Sequence, residues 1–80
     1  MTDWLQTSER LEKTFAFADF ETAMKFMQDA APLISTLGHH PEWSNTYNKV
    51  FVRLTTHDAG NQVTEKDRKL AKLLDELYGA

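Results

Sequence analysis

The chain has three histidines and no cysteine, and the histidines are gathered in one stretch. His39 and His40 stand together in GHHPEW, and His57 closes VFVRLTTH. Histidine is the one side chain whose unperturbed pKa lies near neutral pH, so an imidazole can there both donate and accept a proton. Two such groups flanking a flat polar ligand could remove water and a proton without a cofactor. Pro41 restricts His40 to an extended backbone and fixes where its ring points. Side chains of adjacent residues in an extended segment diverge, so His39 and His40 are expected to do different jobs. His57 is expected at the end of a strand. Trp43 or Tyr47 can wall a flat ring, or can simply pack in the core.

Other chemistries are poorly served. Three imidazoles could make a catalytic zinc site with water as fourth ligand. Adjacent histidines in an extended segment do not readily face one ion, however, and no fourth ligand stands nearby. Ser8, Ser35 and Ser44 lack a nucleophile elbow. The three glycines are not clustered, so there is no phosphate loop.

The elements that must position the histidines follow from periodicity. RLEKTFAFADF alternates, with Leu11, Lys13, Phe15 and Phe17 on one side, which reads as a strand. Asp19 can cap the helix that follows. Phe20, Ala23, Met24, Met27, Ala31 and Ile34 form one apolar stripe, widened by Phe26, Ala30, Leu33 and Leu37. Pro32 is expected to kink this helix or start a fresh turn, and Gly38 to end it. Trp43 to His57 reads as a hairpin turning at YNKV, with Val50, Val52 and Leu54 facing one way. DAGNQ is a loop. Thr64 and Asp67 form a capping box, and Leu70, Ala71, Leu74, Leu77 and Tyr78 are the stripe of a closing helix. Glu65 is placed to pair with Lys69. The order strand, helix, strand, strand, helix predicts an α+β fold, an antiparallel sheet with helices on one face. The other face would be left with Phe and Trp side chains to cover.

Eighty residues make one domain, spanning 1–80, and a chain this short is thin in core. The absence of cysteine suits a reducing cytoplasm. The start, MTDWLQTSERLEK, is acidic and polar where a signal peptide would be basic and then apolar, and no apolar run is long enough for a membrane span. A net charge of -3 with scattered Lys and Arg disfavours direct nucleic-acid binding.

The histidine pattern resembles that of the pterin-4a-carbinolamine dehydratase family, which includes the dimerisation cofactor of a homeodomain transcription factor. The family pattern is His-[His or Asn]-Pro, five residues, an aromatic, nine residues, then His or Trp. Here His39-His40-Pro41 is followed at those spacings by Tyr47 and His57. HHPEWSNTYNKVFVRLTTH and FAFADFETAMKFM also resemble the family, and the likeness runs over about residues 4 to 78. The resemblance implies dehydration of 4a-hydroxytetrahydropterin to quinonoid dihydropterin, with no metal or redox cofactor. It implies His39 and His57 as the proton-transfer pair and His40 as a binding and orienting residue. Pro41, Trp43, Tyr47 and Asp67 are the further expected substrate contacts. It also implies a homodimer or homotetramer and a functional link to an aromatic amino acid hydroxylase. Three departures stand out. Ser35 occupies the position, four before the first histidine, where the family usually has a charged residue or histidine. This leaves a non-catalytic pterin-binding or protein-interaction module as the alternative. The loop from His57 to Asp67 is about one residue longer than in the animal members, and their N-terminal helix has no counterpart here.

Overall fold

The computed structural model describes residues 3–79. Four antiparallel strands, β1 (Leu5–Gln6), β2 (Leu11–Ala16), β3 (Glu42–Thr46) and β4 (Lys49–Leu54), form one sheet in the order β1-β2-β4-β3. Helices α1 (Phe20–Leu37) and α2 (Glu65–Tyr78) pack on it. This is the expected α+β fold with one strand added. At two residues, β1 is too short to leave a period in the sequence.

β2 and β4 lie in the middle of the sheet. Their register sets Leu11 opposite Leu54 and Phe15 opposite Val50, so these apolar residues share a face with Val52. All five are buried. α1 covers them with Ala23, Phe26, Ala30 and Ile34, and α2 with Leu70, Ala71 and Leu74. Emptying one such position, as in Phe15→Ala, costs about 3–5 kcal/mol. The buried line of α1 draws on both expected rows, while Phe20, Ala31 and Leu33 are exposed. Two neighbouring rows of a 3.6-residue period look alike in sequence, and only packing chooses between them.

α1 is capped at Asp19, whose Oδ1 accepts the Thr22 N–H at 2.8 Å. It runs unbroken through Pro32, which lies on the exposed side, where the carbonyl left without a donor can bond to water. Gly38, at φ 73, ends it by donating its N–H to the Ile34 carbonyl. The hairpin turns at Tyr47 and Asn48, between the paired Thr46 and Lys49, one residue earlier than expected. Tyr47 takes a left-handed φ of 51, a conformation for which tyrosine gives no sequence signal. In α2, Glu65 pairs with Arg68 at 3.0 Å rather than with Lys69, since residues three apart also face each other.

The uncovered face of the sheet is more polar than expected. Trp43 stands opposite Val52 and therefore points to the helix side, where it packs against the core. The open face carries Glu12, Thr14, Arg53 and Ser44, with Arg53 Nε bonded to Glu12 at 2.8 Å. Phe51 and Leu5 are its large apolar side chains among the described residues. No helix of the described residues is long and apolar enough to cross a membrane.

Candidate active site

The pairing of β3 with β4 decides where the histidines meet. Glu42 stands opposite Arg53, so the chain just before β3 runs beside the chain just after β4. Gly38, His39 and His40 come from the first segment; Thr55, His57 and Asp58 come from the second. Together they line one open cleft of about 220 Å³. Gly38 lets α1 stop and turn into it, and Pro41 keeps the backbone at His40, just before β3, extended.

His39 is clamped. Its Nε2 lies 2.6 Å from Asp67 Oδ1, with the ring only 13% exposed and Asp67 fully buried. Asp67 is the third residue of α2, where a carboxylate is favoured by the helix N-terminus. Its Oδ2 accepts the Thr56 hydroxyl at 2.7 Å and the Thr64 N–H at 2.9 Å. A threonine hydroxyl has one proton, and that of Thr56 goes to Asp67. Thr64 therefore donates to Thr56 across their 2.6 Å contact. Burial opposes the charge on Asp67. The hydrogen bonds from His39, the Thr64 N–H and Thr56, with the attraction of His39, outweigh it and hold the carboxyl below its ordinary value. An ionised Asp67 can only accept, so His39 donates Nε2–H to it and turns Nδ1 away from it.

His57 opens a 3₁₀ turn, His57–Ala59, three residues past the end of β4. The expected strand end is therefore a tight turn. Thr56 bridges to Gln62 instead, which closes the loop. The His57 ring is exposed, and its Nδ1 lies 2.7 Å from Asn61 Oδ1. His40 is exposed at the same cleft.

Four expected substrate contacts do not line this cleft. Asp67 has no exposed surface, and its oxygens accept from His39, Thr56 and Thr64. Trp43 packs on the core. Pro41 shapes the backbone and is absent from the lining. Tyr47 is 66% exposed at the hairpin tip, roughly 17 Å along the strand from the cleft at the usual rise per residue. Ser35 is exposed. The carboxylate that serves His39 comes from Asp67, 28 residues later, and not from one helical turn before. Thr55, Thr56, Asp58, Asn61 and Thr64 were not expected at the site. The Thr64–Asp67 capping box was the sequence signal closest to them. A larger hollow of about 380 Å³ lies between Phe17, Phe26, Leu77 and Tyr78, but its lining holds no histidine, and the Tyr78 hydroxyl is committed to the Ala16 carbonyl at 2.6 Å. Among the described residues no three His, Asp or Glu side chains converge as a metal site.

The fold and cleft define a small α+β domain with a histidine site at one end of an antiparallel sheet. The chain belongs to the pterin 4 alpha carbinolamine dehydratase family, whose model matches residues 1–77. A relative from Opitutus terrae, to which this dehydratase activity is provisionally ascribed, is 49% identical over 74 residues, covering 92% of this chain and 76% of its own. A relative from Sulfurisphaera tokodaii with the same provisional ascription is 46% identical over 77 residues, covering 96% and 82%. The crystal structure of a transcriptional coactivator/pterin dehydratase from Brucella melitensis superposes with a TM-score of 0.87 at 44% identity, covering 95% of this chain and 82% of that one. A pterin dehydratase-like protein identified as a RuBisCO assembly factor in the alpha-carboxysome shares the fold, with a TM-score of 0.78 at 24% identity, covering 96% and 88%.

Proposed function

We propose that this protein dehydrates a 4a-hydroxytetrahydropterin to the quinonoid dihydropterin. The observation that carries the reading is the meeting of three histidines at one open cleft, one of them clamped to a buried carboxylate. The reaction breaks the C4a–O bond and the N5–H bond and releases water. It needs one group to protonate the leaving hydroxyl and one to take the N5 proton. His39 and His57 are the pair, and His40 binds and orients the ring. Asp67 accepts the His39 Nε2–H and fixes its ring, which a positioned proton-transfer group requires. Electrons stay in the substrate, so these residues suffice for the proton bookkeeping.

The non-catalytic reading rested on Ser35. Asp67 gives His39 the carboxylate that Ser35 cannot, which favours the catalytic reading. The uncatalysed dehydration already proceeds, so the test is acceleration over buffer near pH 7–8. The wild type is expected to accelerate it without added metal or nucleotide. A rate equal to buffer, from protein that still binds a pterin, would favour a binding module instead.

A further inference from the structure

We propose that Asn61 is a positioning residue that sets the proton on His57, presenting a bare Nε2 to the cleft. This deepens the proposed dehydratase reading and rests on it for its consequence, though not for its geometry. Asn61 sits at the end of the 3₁₀ turn with a left-handed φ of 58. Its N–H donates to the Thr56 carbonyl at 3.1 Å, and Gly60, at φ 75, donates to the His57 carbonyl. Two consecutive left-handed residues reverse the chain. They bring the Asn61 side chain back to the ring four residues earlier, with Oδ1 2.7 Å from His57 Nδ1. An amide oxygen only accepts. The bond therefore exists only when Nδ1 carries the hydrogen, and in the neutral ring the lone pair is then on Nε2.

The two histidines are thus held in opposite senses. His39 is tied through Nε2 to a carboxylate. His57 is tied through Nδ1 to a neutral amide. The arrangement leaves Nε2 as the nitrogen of the neutral His57 ring that carries the lone pair. The other ionisable groups at this cleft are His39, His40 and Asp58. None of them reproduces the Asn61 contact among the side-chain hydrogen bonds of the described residues.

The test is nitrogen-15 NMR of the histidine rings in the full chain at a pH where His57 is neutral, alongside the dehydration rate. The wild type is expected to show His57 protonated at Nδ1. Asn61→Gly keeps the left-handed backbone and the N–H to Thr56 but removes the acceptor. It should move the proton largely to Nε2, the site a free imidazole prefers, and lower kcat about 3- to 10-fold, the worth of one net hydrogen bond. Asn61→Asp keeps an oxygen acceptor and should keep the Nδ1 proton. A dispersed amide spectrum confirms that each variant is folded. A wild-type His57 protonated at Nε2, or an Asn61→Gly ring that keeps its Nδ1 proton, would overturn the assignment. A proton that moves with no change in kcat would overturn the positioning role. Failure of the dehydratase reading itself would appear separately, as a wild type no faster than buffer.

Discussion

Asp67 turns one histidine of a short chain into a fixed group. Its carboxyl is buried, and it accepts from His39, Thr56 and the Thr64 N–H. Its removal leaves three donors short of a partner. Asp67→Ala is therefore expected to cost about 2–3 kcal/mol in urea unfolding, and Asp67→Asn less, because the amide still accepts. The pH dependence has a definite sign. The folded carboxyl titrates below its ordinary value of 3.8, so its stabilisation is fully present above that pH and is lost as the pH falls through the lower, folded value. The wild type should lose stability in this acid window, and Asp67→Asn should lack that component. An unchanged acid profile in Asp67→Asn would contradict the account. The His39–Asp67 contact was not legible in the sequence, because it joins residues 28 apart through tertiary packing. The capping box of Thr64 and Asp67 was legible, since it is local.

At the scale of elements, period carries most of the information. The alternation of Val50, Val52 and Leu54 marks the buried face of β4 correctly, because one-sided burial imposes a period of two. Where backbone geometry rather than burial decides, the sequence is less informative. The turn falls at Tyr47–Asn48, and His57 starts a 3₁₀ turn where alternation suggested more strand. Trp43 reaches the core because register, not residue type, sets its face. Pro32 offers a test of how α1 is held. The helix continues through it, so packing of Phe26, Ala30 and Ile34 must offset the lost hydrogen bond. Pro32→Ala, on the exposed side, is expected to raise stability by about 1–3 kcal/mol, read as a higher urea midpoint. A lower midpoint would contradict the view that Pro32 costs α1 a hydrogen bond without compensation.

At the scale of the whole molecule, the sheet keeps two edges, β1 and β3. β3 is the longer, at five residues, and an uncovered edge strand is a template for pairing. We propose a homodimer formed by antiparallel pairing of β3 with a second copy, with a homotetramer as the larger form. Such pairing sends the hairpin tip of one copy, with its exposed Tyr47, toward the His39–Pro41 segment of the other. It gives Tyr47 a place at the site that one chain alone does not provide. Light scattering at micromolar concentration is expected to give twice or four times the 9.2 kDa of one chain. A mass near 9.2 kDa would contradict it.

In the proposed reaction His39 and His57 act together on one substrate from one cleft. The measurement that tests it most directly is dehydration of a 4a-hydroxytetrahydropterin by the wild type, His39→Ala, His57→Ala and the double variant, each as a rate over buffer. Each single variant is expected to lose acceleration about 100-fold or more, as for a positioned proton-transfer group. The double variant should be little worse than the poorer single one, because the two act as a unit. A double variant that still accelerates the reaction as well as the wild type would contradict the account.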